Sequence, residues 1–127
     1  MDIDEIMSIC KKMDKFRGFR NILNFEPSVD PEVISNRFVE EAVIANFKKL
    51  EAEDVTFELH LNPSQYEDAA KVLEACPKLR VIIDHCGSPF MDDIQSERYW
   101  TGMKRFAALP NVFIKISFFG RINPAWD

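Results

Sequence analysis

Four short apolar segments, each rich in β-branched or aromatic residues, alternate along this chain with segments of helical periodicity. The strand-like segments cover residues 16–23, 55–61, 79–87 and 112–119. Successive strands lie about one βα unit apart, close to the roughly 30 residues that such a unit needs. Strands that alternate with helices predict right-handed crossovers and a parallel sheet. The sequence therefore predicts an α/β fold with the element order α-β-α-β-α-β-α-β.

The helical segments carry their own start and stop signals. Apolar residues recur at helical spacing in residues 2–14, and Asp30-Pro31 reads as the cap of a long helix that runs to about Glu53. Asn62-Pro63-Ser64-Gln65 resembles a capping box before a helix that ends near Cys76. Ser96 is predicted to cap a last helix that ends before Pro110, while residues 88–95 and 120–127 are predicted to be loops.

The third strand segment ends abruptly in polar residues. If side chains alternate along the strand, Val81, Ile83 and His85 share one face, and Ile82, Asp84 and Cys86 share the other. We therefore expect the imidazole of His85 on the barrel-side face, at the end of the strand where α/β folds keep their chemistry. The alternative for His85 is a histidine satisfied by hydrogen bonds within the core. A Cys86 nucleophile is disfavoured, because alternation turns Cys86 towards the helices.

Charged side chains recur on one face of the other predicted strands. Arg20, Glu58, His60 and Lys115 would share a face with His85. This pattern fits the mouth of a (β/α)8 barrel better than a sheet covered by helices on both sides, as in a flavodoxin-like binding module. The charges could also form structural ion pairs, with Arg20 bound to Glu58 or Asp84. A complete barrel takes eight strands, so 127 residues supply about half of one.

The composition excludes several classes of protein. The net charge of −5 argues against nucleic acid and anionic membranes as partners, and no apolar run approaches the ~20 residues of a membrane helix. Cys10, Cys76 and Cys86 are odd in number and apolar in context, which indicates reduced thiols and a cytoplasmic protein. The chain has no Gly-x-Gly-x-x-Gly loop for phosphate.

Five stretches carry a family resemblance, namely Phe-Arg-Gly-Phe-Arg-Asn-Ile-Leu at 16–23, Phe-Glu-Leu-His at 57–60, Val-Ile-Ile-Asp-His-Cys-Gly-Ser-Pro at 81–89, Trp100, and Leu-Pro-Asn-Val-Phe-Ile-Lys-Ile-Ser at 109–117. In this order they resemble the amidohydrolase-related TIM-barrel hydrolases, especially the branch of fuconolactonase- and sulfomuconolactonase-like enzymes. The Asp-His-x-Gly-x-Pro and Pro-Asn-Val-x-x-Lys-x-Ser patterns are its most specific parts. The resemblance runs from about Phe16 to the end of the chain.

The resemblance implies hydrolysis of a lactone or related carboxylic derivative, with or without a divalent metal such as zinc. His85 would be the catalytic histidine, as a metal ligand or a group that polarises the substrate, and Glu58 would lie near the metal. The substrate-binding residues implied are Arg20, Arg17, His60 and Lys115, with Ser117 as scaffold at the floor of the site. A small carboxylate or lactone is the implied partner.

The chain also departs from this family. It contains only His60 and His85, so the His-x-His pair of the family's first strand is absent, as is the aspartate of its last strand. We expect residues 1–127 to form one incomplete domain, equivalent to strands three to six of the barrel, and to be inactive alone. The alternative function is a non-catalytic half-barrel, an interaction or pseudoenzyme domain that pairs with itself as a homodimer through its open face.

Overall fold

The computed structural model of the chain describes residues 3–26 and 35–126. The strands are β1 (Gly18–Ile22), β2 (Thr56–His60), β3 (Arg80–Ile83) and β4 (Val112–Ile114). The helices are α1 (Ile3–Cys10), α2 (Glu41–Ala52), α3 (Tyr66–Glu74), α4 (Met91–Ile94), α5 (Glu97–Ala107) and α6 (Phe119–Ile122). Single 3-10 turns occur at Arg37–Val39, Pro63–Gln65 and His85–Gly87.

The four strands form one parallel sheet in the order β1-β2-β3-β4. Each strand therefore lies beside the strand that follows it in the chain, which is the arrangement of a barrel wall. A flavodoxin-like sheet instead places its first strand inside the order 2-1-3-4-5. The predicted parallel α/β architecture is confirmed, and the flavodoxin-like alternative is wrong.

The helices α1, α2, α3 and α5 cover one face of this sheet. Phe57, Leu59, Val81 and Ile83 point into that covered side and are at most 5% exposed. They pack in one apolar cluster with side chains from α1, α2, α3 and α5. On the opposite face Arg20, Glu58, Ile82 and Phe113 lie side by side in register and are not buried. The sheet therefore has one packed face and one open face, as predicted for a half-barrel.

Most of the predicted caps are observed. The Ser96 hydroxyl accepts a hydrogen bond from the Tyr99 amide at 3.2 Å, and the Gln65 side chain accepts one from the Asn62 amide at 2.9 Å. The predicted long helix to Glu53 is wrong over residues 35–40, because α2 begins at Glu41 and a 3-10 turn capped by Asn36 precedes it. The Asp30-Pro31 cap lies outside the described residues.

Two boundaries also differ from the sequence prediction. The strand predicted to reach residue 119 ends at Ile114, and α6 occupies part of the predicted terminal loop. The predicted loop at 88–95 contains the short helix α4. Among residues 3–26 and 35–126, no helix has the length and apolar character needed to cross a membrane.

Candidate active site

The end of β3 differs from the pattern predicted for it. Val81 and Ile83 face the helices, so the open face receives Ile82 and, one step beyond the strand, Asp84. Simple alternation would therefore turn His85 into the core, and the predicted pairing of His85 with Val81 and Ile83 is wrong. The strand ends at Ile83, and a change of backbone conformation brings His85 back to the polar side. The alternation of side chains along β3 therefore identified His85 as a site residue but assigned it to the wrong face of the strand.

This change of conformation is a left-handed turn of four consecutive residues. The φ angles are +55° at His85, +55° at Cys86, +80° at Gly87 and +56° at Ser88. Left-handed backbone costs a residue with a Cβ roughly 1–2 kcal/mol. Hydrogen bonds from the Cys86 amide to the Lys115 carbonyl (2.9 Å), from Gly87 to Asp84 (2.9 Å) and from Ser88 to His85 (2.8 Å) stabilise the turn. We call His85–Ser88 the left-handed turn.

Asp84 is a buried carboxylate held between two cations. Its Oδ2 lies 2.9 Å from Arg20 Nε, its Oδ1 lies 2.8 Å from Lys115 Nζ, and its side chain is completely buried. Lys115 Nζ also donates to Glu58 Oε2 at 2.7 Å. Because an unpaired buried charge is costly, this pairing is what allows a carboxylate at the end of β3. Arg20, Glu58, Asp84 and Lys115 are called the charge network.

The charge network fixes the protonation of its lysine. Hydrogen bonds to Asp84 first, and then to Glu58, raise the pKa of Lys115 above its ordinary value. Lys115 is therefore a permanent cation at neutral pH, suited to binding an anion and unsuited to accepting a proton. Two cations face two carboxylates, so the network is balanced in charge.

The contacts of His85 define its tautomer. His85 Nε2 lies 3.3 Å from Arg20 Nη2, and His85 Nδ1 lies 2.9 Å from Ser117 Oγ. A guanidinium can only donate, so Nε2 is the acceptor and carries no proton. The proton is then on Nδ1 and is donated to Ser117 Oγ. This assignment leaves Ser117 as an acceptor, which orients the ring and is not activated as a nucleophile.

Two further rings enclose the imidazole of His85. The His60 ring packs edge-on at 5.4 Å between centroids, and the Phe118 ring lies at 5.0 Å. His60 is itself largely buried at the last position of β2. The ring of His85 therefore lies in an aromatic setting with one polar contact at each nitrogen.

The structure brings five of the six predicted site residues together and leaves one apart. Arg20, Glu58 and Lys115 belong to the charge network, and His85 and His60 adjoin it. Arg17 precedes β1 and donates to the carbonyls of Asp14 (3.0 Å) and Phe16 (2.7 Å). At about 3.3 Å per strand residue, Arg17 lies roughly 16 Å along the strand from the level of His60. Arg17 lines the same cleft as Arg20, and a substrate-binding role for Arg17 stays a prediction.

Asp84 is the central residue that the sequence prediction missed. It entered only as one possible partner of Arg20, because alternation placed it on the helix side. A signal was present: Arg20 and Lys115 were both predicted on the open face, and two cations at a partly buried site require an anion between them. Phe118 was also missed, because its placement depends on the end of β4 at Ile114.

The contacts of Glu58, Asp84 and His85 leave little room for the zinc site that the family resemblance implies. Glu58 and Asp84 already bind Arg20 and Lys115, and His85 Nε2 faces a guanidinium. Within residues 3–26 and 35–126, no group of three or more His, Cys, Asp or Glu side chains is arranged to hold a metal ion. The described residues do not by themselves fit a zinc site. Metal binding by Glu58 and His85 stays a prediction.

Fold and site together define a class: an α/β barrel-type domain whose polar residues gather where its parallel strands end. A family model described as amidohydrolase matches residues 4–127. The chain therefore belongs to the amidohydrolase family, and its four strands are part of a (β/α)8 barrel. This confirms the family resemblance found in the sequence.

Individual relatives agree with this assignment. An L-fucono-1,5-lactonase of Burkholderia ambifaria is 31% identical over 103 residues, which are 81% of this chain and 33% of that protein. An uncharacterised protein of Sinorhizobium fredii is 25% identical over 127 residues, or 98% of this chain and 43% of its own length. The chain thus spans less than half the length of the relatives it matches.

Solved structures show the same fold. An amidohydrolase of Bifidobacterium longum subsp. infantis is 32% identical, with a TM-score of 0.56 over 63% of this chain and 31% of its own. An amidohydrolase of Burkholderia multivorans, crystallised with bound zinc, is 22% identical, with a TM-score of 0.71 over 92% of this chain and 40% of its own. At 22% identity, the similarity to the Burkholderia multivorans structure supports the fold alone.

Proposed function

We propose that this chain supplies part of the active site of a hydrolase that opens a lactone or a related carboxylic derivative. The observation that carries the proposal is the position of Arg20. Its guanidinium is fixed by Asp84 at Nε and by His85 at Nη2, while about half of its side chain is exposed. Family membership and the lactonase relative support the reaction class.

The free edge of Arg20 faces a cleft on the open side of the sheet. This cleft has a volume of about 550 Å³ and runs along the first part of β1. Besides Arg20 it is lined by Lys15, Phe16, Arg17, Gly18, Phe19, Thr56, Glu58 and Ile82. Arg20 Nη1 has no partner among the described residues, so its N–H groups are available to a ligand. A guanidinium binds a carboxylate with two parallel hydrogen bonds. Arg20 would thus hold the carboxylate that forms when water adds to the lactone carbonyl and the ring C–O bond breaks.

His85 would act next to this anion. Its Nε2 lone pair points at Arg20 Nη2, so Nε2 becomes free to accept a proton only when Arg20 shifts towards a ligand. Binding of an anion to Arg20 would therefore release the base for the reaction. Lys115 adds positive charge to the same region, and His60 encloses it from the side. These roles, like a zinc ion in the complete barrel, belong to the proposal.

We expect the chain alone to be inactive, because its described residues do not complete a site. The test is therefore a chimera in which this chain, aligned through its 103 matched residues, replaces the corresponding segment of the Burkholderia ambifaria lactonase. Hydrolysis of L-fucono-1,5-lactone is followed by the release of acid at constant pH. The proposal expects activity in the chimera and its loss in the H85N and R20M variants. A folded chimera whose activity survives both substitutions would refute it.

A second candidate function is a self-paired half-barrel, and a specific observation favours it. Ile22 on β1 and Phe113 on β4 project from the open face and are 60% and 53% exposed. β1 and β4 are also the outer strands of the sheet, and such edges invite pairing. A homodimer would close eight strands about a two-fold axis. A cytoplasmic location, suggested by three free thiols, fits either function.

Light scattering after size-exclusion chromatography separates the two functions. A dimer that F113K converts to monomer, while V39K on the helix side leaves it intact, would support self-pairing. Val39 is a suitable control because it is 63% exposed and lies outside the sheet. A monomer at all concentrations would remove this candidate.

A further inference from the structure

Two tyrosines outside the polar site contact the turn that carries His85. Tyr66 from α3 donates its hydroxyl hydrogen bond to the Gly87 carbonyl at 2.7 Å, and Tyr99 from α5 donates to the Cys86 carbonyl at 3.1 Å. These are consecutive carbonyls of the left-handed turn. We infer that Tyr66 and Tyr99 are positioning residues that hold the turn so that His85 meets Arg20 and Ser117.

The left-handed turn requires contacts from outside itself. Three of its residues carry a Cβ, and such residues favour right-handed or extended backbone. The amides of Cys86, Gly87 and Ser88 are bound by carbonyls of the chain. The carbonyls of Cys86 and Gly87 are bound by the two tyrosines. Without these hydroxyls the two carbonyls lose the hydrogen bonds that stabilise the left-handed conformation. The turn can then relax towards right-handed or extended backbone.

The tyrosines themselves are held rigidly. Tyr66 is 1% exposed and Tyr99 is 6% exposed, and their rings lie 6.0 Å apart. A Cβ at Gly102 of α5 would come within 2.3 Å of the Tyr66 ring, so the ring lies directly against that helix. The ring of Phe106 packs on the Tyr66 ring at 5.2 Å. Groups fixed on packed helices can set the position of a site residue more precisely than loop residues can.

A purely structural role makes a different prediction from a positioning role. If the hydroxyls only satisfy buried carbonyls, their loss lowers stability and leaves the ring of His85 as it was. If they position the turn, their loss changes the contacts of His85 with Arg20 and Ser117, and hence its tautomer. The tautomer is read directly, so this test is independent of whether the proposed hydrolysis is correct.

Nitrogen-15 NMR of the imidazole rings, recorded at a pH about two units above the ordinary histidine pKa of about 6.5, provides the readout. Protonated and unprotonated ring nitrogens have well-separated shifts, and an H60Q variant assigns the signals because the chain has only two histidines. The variants are Y66F, Y99F and the double variant Y66F/Y99F, each of which removes only hydroxyl oxygens. The control is F106L, which disturbs the same packing without touching the turn.

We expect His85 in the unchanged chain to be protonated on Nδ1, and the double variant to shift to a mixture that includes the Nε2-protonated form. F106L should lose at least as much stability as Y99F while His85 remains Nδ1-protonated. An unchanged His85 spectrum in the folded double variant would overturn the inference, and so would an equal change in F106L. If the double variant does not fold, the milder Y99F variant is measured in its place. A change in the His85 tautomer supports the inference, and an unchanged His85 spectrum overturns it.

Discussion

Arg20 reaches across β2 to Asp84: Nε lies 2.9 Å from Oδ2, although β1 and β3 are not neighbours in the sheet. From the other edge, Lys115 beyond β4 reaches both Asp84 and Glu58. The cations therefore come from β1 and from the residue that follows β4, and the carboxylates come from β2 and from the residue that follows β3. Each ion pair joins residues that belong to, or directly follow, different strands. The charge network therefore connects all four strands on the open face of the sheet.

We expect the D84N variant to be destabilised by about 3 kcal/mol. Removing one charge of a buried ion pair leaves its partner unpaired in a poorly solvated place, and here two cations lose one carboxylate. Because Arg20 and Lys115 are partly exposed, the loss should lie at the lower end of the range for buried pairs. Urea unfolding with a constant m-value measures this change.

The D54N variant is the matched control for that measurement. Asp54 pairs with Arg80 at 2.8 Å, but its side chain is 87% exposed. Surface pairs of this kind contribute at most about 1 kcal/mol. Losses of similar size in D84N and D54N would show that the charge network contributes nothing special to the fold.

The sequence predicted the faces of β2 correctly because polar residues mark one face of that strand. In β2 the sequence Thr-Phe-Glu-Leu-His alternates without exception, so Glu58 and His60 identify the open face. Sequential parallel strands followed from the βα rhythm. Tertiary contacts were not needed for either inference.

The sequence could not predict how β3 ends. Val81, Ile82 and Ile83 are all apolar, and only Arg80, at the start of the strand, marks the face that it shares with Ile82 and Asp84. His85 and Cys86 adopt positive φ although neither is glycine, and only Gly87 hints at such a turn. The turn is determined by contacts from α3, α5 and the end of β4, which are distant in sequence. Local pattern therefore found His85 and misplaced Asp84.

Arg20 should control the affinity for carboxylates. In R20K the ammonium cannot keep its contacts with Asp84 and His85 and also bind a carboxylate through two N–H groups. We expect the dissociation constant for the sugar acid formed from L-fucono-1,5-lactone to rise at least about tenfold, or about 1.4 kcal/mol. Titration followed by NMR measures the constant on the chain itself.

R17K provides the comparison at a second arginine of the same cleft. Arg17 precedes β1 and lines the same cleft, but its Nη1 is bound to backbone carbonyls, so R17K, which keeps the positive charge, should weaken binding less than R20K does. If R17K weakens binding and R20K does not, the carboxylate binds at the start of the sheet, and the proposed site is misplaced.

Tyr66 should make the fold sensitive to alkaline pH. Burial, followed by the charges of Tyr99, Asp93 and Cys86, raises the pKa of its phenol far above the ordinary value of about 10. Above that ordinary value the unfolded chain releases the phenolic proton while the folded chain keeps it, so stability falls as pH rises. Y66F lacks this proton and should lose less stability from about pH 9 to about pH 11. Parallel stability profiles of the two proteins would contradict the assignment.

Position 87 requires glycine for two reasons, one in the backbone and one in the space beside Tyr66. Its φ of +80° favours glycine, and an added Cβ would lie 2.1 Å from Tyr66 Oη. We expect G87A to lose at least about 2 kcal/mol, of which the left-handed backbone accounts for roughly 1–2 kcal/mol. G120A is the control, because a Cβ at Gly120 meets no described atom within 4 Å. That variant should range from unchanged to about 1 kcal/mol more stable, as expected for alanine in a helix.

A double-mutant cycle separates the two costs at Gly87. Y66F removes the oxygen that the new methyl group would strike, so G87A should be less harmful in the Y66F background than in the unchanged chain. The backbone cost remains in both backgrounds, because the φ angle does not depend on the hydroxyl contact alone. A cycle with no coupling would mean that the turn moves away from Tyr66 freely, and the hydroxyl would then have little hold on the position of His85.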